Sequence, residues 1–198
     1  MKKFTRIEAP ALAVIEDRID TDILFPARFL LLMEKDGLGR YLYYDRRFDA
    51  NNRQVPNPID DAIAAGAGIL LAGKDFGCGS SREQAVWALA GAGFRCVVAE
   101  SFGEIFGANC ARNGVLAVRL SVDEIAGLAR LAEEGPLTVD LSEQTITRGN
   151  HVLPFAMNPA TKERLLNGWD EIDMILSRSS ADIADFEARQ RLAQPWLF

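Results

Sequence analysis

Between residues 68 and 134 short apolar runs alternate with helical patterns, and this alternation restricts the fold more than any other feature of the chain. The runs at 68–72, 96–99 and 115–118 read as buried strands, and helical patterns follow at about 82–91, 102–112 and 122–133. Ser101-Phe102-Gly103-Glu104 and Ser121-Val122-Asp123-Glu124 match the Ser-x-x-Glu box that caps a helix start. Gly91, Gly93 and Gly114 fall just past helix ends, where a left-handed residue is wanted. Strand–helix alternation at this spacing predicts an α/β fold with a largely parallel central sheet and crossover helices.

The flanks are less regular. A strand is expected at 11–14, a long excursion rich in Tyr, Arg, Asn and Pro at 38–58, and a short helix at 60–67. After Gly135-Pro136 come short strands at 137–140, 145–147 and 152–153, then a helix opened by Asn158-Pro159. Another run follows Gly168, and 181–192 reads as a polar amphipathic helix. One domain over 1–198, with a helical tail at about 159–198, is the expected organisation. The terminal Pro195-Trp196-Leu197-Phe198 is apolar, which fits either docking on its own core or contact with a partner chain.

The turn after the first central strand carries the chemistry. Gly77-Cys78-Gly79-Ser80-Ser81-Arg82 joins two glycines, two hydroxyls and a guanidinium before a helix expected to open at Ser80 or Ser81. Glycine lets the backbone approach a ligand, and a helix start offers unpaired N–H groups to an anion. A dinucleotide fingerprint is excluded, because Arg82 stands where the third glycine belongs. A phosphate loop is excluded too, since no Gly-Lys-Ser/Thr follows. A carboxylate ligand remains, which arginine binds bidentately. One of the two serines can be a plain N-cap, but both together with the glycines and Arg82 point to a site. A stand-alone phosphate- or nucleotide-binding module is the alternative from a different class.

Composition narrows the rest. The formal net charge is -6, which argues against a nucleic-acid partner. No apolar stretch approaches the roughly 20 residues that cross a bilayer, and the start, Met1-Lys2-Lys3-Phe4, lacks a signal-peptide core, so a cytoplasmic protein without membrane contact is expected. Cys78, Cys96 and Cys110 stand 18 and 14 residues apart, a pattern of neither disulfides, zinc nor a cluster. His151 is the only histidine and reads as a structural or surface residue. The expectation is no metal on this chain, with any metal or acid for chemistry supplied from elsewhere.

Gly77-Cys78-Gly79-Ser80-Ser81-Arg82-Glu83 resembles the signature of the mobile swivel domain of the aconitase superfamily. Over almost its whole length the chain is similar to the small subunits of isopropylmalate dehydratases. The likeness runs through Asp20-Thr21-Asp22-Ile23 with Pro26-Ala27-Arg28-Phe29-Leu30, Leu38-Gly39 with Tyr41-Leu42-Tyr43-Tyr44-Asp45, 99–106, 109–114 and 165–172. It implies a swivelling β/β/α domain and a hydro-lyase that isomerises 2-isopropylmalate to 3-isopropylmalate through isopropylmaleate, in leucine biosynthesis. It also implies a large iron–sulfur subunit as partner, which carries the [4Fe–4S] cluster, and a dicarboxylate substrate.

By the same resemblance Ser80 is the base that removes the proton α to a carboxylate. Ser81 and Arg82 hold substrate carboxylates, with Gly77 and Gly79 in support. Asp20 and Asp22 either orient Arg82 or a neighbouring loop, or form a surface turn. Leu31 and Leu32 stand where relatives acting on tricarboxylates are expected to carry an arginine; they read either as an apolar wall for an isopropyl group or as core. Arg28 is a further candidate to face substrate. Many relatives have histidine where this chain has Gln84, which keeps a homoaconitase-type or citraconate-type hydratase open as the alternative.

Overall fold

The computed structural model describes residues 1–32 and 34–197. Met33 and Phe198, which end the apolar run 28–33 and the terminal tail, lie outside the described residues. Two four-stranded sheets organise the chain. Strands β1 (Arg6–Ala9) and β2 (Ala11–Val14) flank Pro10, so one extended segment feeds both sheets. Next come helices α1 (Thr21–Leu24), α2 (Tyr44–Arg47) and α3 (Pro58–Ala64), the last capped by the Asn57 side chain. The central region contributes β3 (Ile69–Ala72), α4 (Glu83–Gly91), β4 (Cys96–Ala99), α5 (Glu104–Arg112), β5 (Leu116–Arg119) and α6 (Val122–Glu133). Strands β6 (Leu137–Asp140), β7 (Thr145–Arg148) and β8 (His151–Pro154) precede helices α7 (Pro159–Asn167) and α8 (Glu171–Ala193).

The parallel sheet has the order β2-β3-β4-β5, with Ala11 beside Ile69, Ile69 beside Cys96 and Cys96 beside Leu116. Every residue of β3 and β4 is buried, as unbroken apolar runs in a parallel sheet require. The two-residue pleat sends alternate side chains to two cores. Leu70, Ala72, Val97 and Ala99 face Ala85, Leu89, Phe106 and Cys110 of α4 and α5. Ile69, Leu71, Cys96, Val98 and Leu116 face Ile125 and Leu128 of α6 and the inner residues Leu137, Val139 and Ile146 of the second sheet. That sheet is antiparallel, in the order β1-β6-β7-β8. The layering is helix, parallel sheet, antiparallel sheet: the β/β/α arrangement expected, with the central sheet parallel throughout. No described helix is long and apolar enough to cross a membrane.

Several boundaries differ from the sequence reading. Helix α4 opens at Glu83 with Arg82 at the N-cap, not at Ser80 or Ser81, because Gly77 and Gly79 keep the chain in left-handed turn geometry just before it. Ser101 does not cap α5; Gly103 takes the cap position without a side-chain acceptor, and the Ser101 hydroxyl is engaged by Asp75. Ser121 does form the box with Glu124, and a second box, Asp170 with Asp173, opens α8. Gly91 is the last residue of α4, not a cap: a Cβ there would stand 2.9 Å from the backbone nitrogen of Gly39, so it serves close packing. The excursion contains a 3-10 turn at Leu38–Tyr41 and α2, fastened by the buried Arg47.

Candidate active-site cleft

The site forms where the chain leaves the C-terminal edge of the parallel sheet. The segments after β2, β3 and β4 meet there, the usual position for ligands in open α/β sheets. Backbone hydrogen bonds stitch them together. Gly77 N donates to Ile19 O at 2.7 Å and Thr21 N to Cys78 O at 2.9 Å, which lays 19–22 along the turn. On the other side Phe76 N donates to Ser101 O and Gly103 N to Phe76 O. Asp75, itself left-handed at φ 54°, donates its N–H to Ser101 Oγ at 2.8 Å, and the Ser101 hydroxyl donates to Asp75 Oδ1 at 2.7 Å. Gly77 has φ 71° and lies directly against the Phe106 ring, so a larger residue meets both backbone strain and a collision.

These contacts leave a cleft of about 230 Å³ with Thr21, Cys78, Ser80 and Arg82 on one wall and 103–106 on the other. Ser80 and Ser81 are exposed, and neither hydroxyl has a hydrogen-bond partner among the described residues. The Ser80 backbone is fixed instead, its carbonyl accepting from Thr21 Oγ1 at 3.0 Å. From Gly79 to Gln84 the backbone N–H groups have no acceptor among the described residues. The opposite wall repeats this, since the N–H groups of Glu104, Ile105 and Phe106 at the uncapped start of α5 are also unpaired. The cleft is thus walled by amide donors on both sides, a setting for an anion.

Arg82 supplies the fixed charge. Its side chain is only 11% exposed, ion-paired with Asp22 and close to the Phe25 carbonyl. The hydrogen bond from Arg82 holds the Asp22 carboxyl below its ordinary range; slight burial opposes this, and the Arg82 charge and the Ala27 N–H assist. Asp20 acts differently: its carboxylate caps α1 by accepting from Ile23 N at 2.8 Å. Both aspartates therefore order the segment that supports the turn. Gln84 follows in the first turn of α4, and Glu83 beside it accepts from Asn113 Nδ2 at 2.8 Å and Trp87 Nε1 at 3.3 Å. Thr21 and the uncapped α5 start escaped the sequence reading. The isolated glycine between Phe102 and Glu104 was the available signal, masked by the capping-box match.

Three candidates lie apart from this cleft. Arg28 is ion-paired with Asp45 and lies over the rings of Phe29 (4.6 Å) and Tyr44 (5.3 Å). Leu31 is 91% exposed, so its reading as a core residue fails; Leu32 is half-buried against the core. Both leucines line a second cavity of about 410 Å³ with Arg40 and Tyr41, which shares no residue with the first. No cluster of three or more His, Cys, Asp or Glu side chains suited to a metal occurs among the described residues. Cys96 and Cys110 are fully buried, and burial pushes both thiols up, away from the thiolate that binds iron.

Comparison with known proteins decides the family. Residues 1–123 match the model of the aconitase C-terminal domain, and 178–198 match that of the C-terminal domain of 3-isopropylmalate dehydratase small subunits. The small subunit from Phenylobacterium zucineum is 43% identical, over 100% of this chain and 98% of that protein. The chain belongs to the 3-isopropylmalate dehydratase small-subunit family. Within it, the Shouchella clausii small subunit is 45% identical over 90% of this chain and 92% of its own length. The crystal structure of 3-isopropylmalate dehydratase from Methanocaldococcus jannaschii superposes with a TM-score of 0.65 at 25% identity, covering 91% of this chain and 99% of that one. The two proteins thus share their overall fold.

Proposed function

We propose that this chain is the small subunit of a hydro-lyase that interconverts 2-isopropylmalate and 3-isopropylmalate through isopropylmaleate, in leucine biosynthesis. It works in the cytoplasm as one swivel domain with its helical tail, on a large subunit that carries a [4Fe–4S] cluster. The observation that carries this reading is a half-built site: a cleft rich in amide donors, with a largely covered, oriented arginine and two uncommitted serine hydroxyls open to water. The buried thiols of this chain do not suit a cluster, which supports placing it on the partner, where it supplies Lewis-acid chemistry for the departing hydroxyl.

In this chain's half, Arg82 and Ser81 bind substrate carboxylate oxygens. Asp22 and the Phe25 carbonyl hold one part of the guanidinium, which leaves others of its five N–H donors for the ligand. Ser80 Oγ takes the proton α to the carboxylate. A serine hydroxyl is too weak an acid for this in water. Its alkoxide needs the unpaired amides on both walls, Arg82, and removal of solvent, because such interactions strengthen in a dry site. Covering by the large subunit supplies that last condition. The test is turnover by the reconstituted pair of 2-isopropylmalate, homoaconitate and citraconate in parallel. Turnover of 2-isopropylmalate above the other two is expected, and its absence overturns the reading.

A further inference from the structure

Helix α8 is the largest element that the proposed site does not use. None of its 23 residues is buried. Its first two turns are tied to the body along one side. Glu171 receives Arg112 at 3.1 Å and Arg164 at 3.8 Å, Met174 Sδ accepts from Arg164 Nε at 3.2 Å, and Arg178 pairs with Glu163. On the other side lie Ile172, Leu176, Ser179, Ile183, Phe186 and Gln190. Their spacing alternates four and three residues, the pattern of a coiled-coil seam sustained for nearly three heptads. Ile172 is 66%, Leu176 48% and Phe186 58% exposed, while Ser179, Ile183 and Gln190 of the same stripe are half-buried. An apolar stripe of this kind on a helix of about 35 Å marks a contact surface.

A second copy of the chain does not fit it. The positions flanking the seam include Asp173, Asp182 and Glu187, with Arg189 as the one base. In a parallel pair Asp182 of each copy faces Glu187 of the other. In the antiparallel pairing that sets Leu176 against Phe186, Asp173 faces Glu187 and Asp182 faces itself. Like charges along a seam oppose association in either orientation. An acidic rim calls for a basic counterpart.

We propose that the α8 seam docks into an apolar groove with a basic rim on the large subunit. This rests on the function proposed above. The full chain is titrated with the purified large subunit, as wild type and as the variants Leu176→Asp, Phe186→Asp, Asp182→Lys and Ala188→Asp, the last on the far side of the helix. The seam aspartates are expected to weaken association about 100-fold or more while the melting temperature of the isolated chain stays unchanged. Ala188→Asp stays within threefold of wild type. Asp182→Lys weakens association by a factor that shrinks as salt rises, since rim charges are screened. Wild-type affinity in both seam variants overturns the proposal, as does a wild-type homodimer that the seam aspartates dissolve. If the wild-type pair turns over 2-isopropylmalate and the seam variants bind normally, only the docking proposal fails. If the pair shows no turnover, the function fails, and the titration still decides the docking.

Discussion

Arg82 concentrates the chemistry of the cleft in one side chain. Its neighbours Ser80 and Ser81 are exposed, whereas its own side chain is largely covered and its head is steered by Asp22. Lysine can replace the charge but not the fork, so Arg82→Lys should lower kcat/KM of the reconstituted pair by roughly 10²–10³. Ser80→Ala should lower kcat by roughly 10²–10⁴, the range for loss of a general base. Near-normal rates in either variant would remove that residue from the mechanism. Asp22 makes a pH-dependent contribution. Its carboxyl is held low in the folded chain, so the stabilisation is present above the ordinary carboxylate range and is lost as pH falls through the lowered value. Half of Asp22 is open to solvent, which limits the effect to about 1 kcal/mol or less. Urea midpoints measured from neutrality down through that range should fall less in Asp22→Asn than in wild type. That the turn and a nearby motif supply Ser80, Ser81, Arg82 and Asp22 was legible in the sequence, and the fold brings the two segments together. Thr21 did not, since a threonine announces nothing until the fold lays it beside the Ser80 carbonyl.

At the scale of elements, two identical-looking capping boxes behave differently. Ser121 caps α6 and Glu124 returns the bond, whereas Ser101 gives its hydroxyl to Asp75 and leaves α5 uncapped. A local pattern states what a side chain can reach along its own helix; it cannot count a competitor 26 residues away. The difference is measurable. Ser121→Ala should cost about 1 kcal/mol of stability with activity of the pair unchanged, the effect of a lost cap. Ser101→Ala should cost a similar amount yet also reduce kcat/KM, because it loosens the turn at Asp75 and the start of α5 together. Equal activities in the two variants would contradict a role for Ser101 in shaping the cleft. The same limit explains α4, whose start moved from Ser80 to Glu83. A helix opening at Ser80 would have tied the Gln84 N–H to the carbonyl four residues back; opening at Glu83 leaves every amide from Gly79 to Gln84 available to a ligand.

Across the whole molecule, the long excursion is held by an ion pair. Arg47 is buried, contacts Asp60 through Nε at 2.8 Å, and donates through Nη1 to the carbonyls of Leu42 (2.8 Å) and Arg40 (3.1 Å). Burial alone would raise the Asp60 carboxyl, but hydrogen bonds from Asn57, Gln54 and Arg47 outweigh it and hold the group low. Arg47→Ala strands that carboxylate and those carbonyls, and should cost about 3–5 kcal/mol in chemical denaturation. A loss below about 1 kcal/mol would show the staple to be dispensable. By itself the sequence determined the parallel layer and the residue types gathered in its turn, because continuous apolar runs and glycine geometry are local properties. Only the tertiary structure decided that β1 crosses into an antiparallel sheet with β6, that the α5 start forms the second wall of the cleft, and that Leu31 and Arg28 stand apart from it. Those outcomes depend on pairings between residues far apart in the chain, whose free energy comes from burial and backbone hydrogen bonding that no short window of sequence contains.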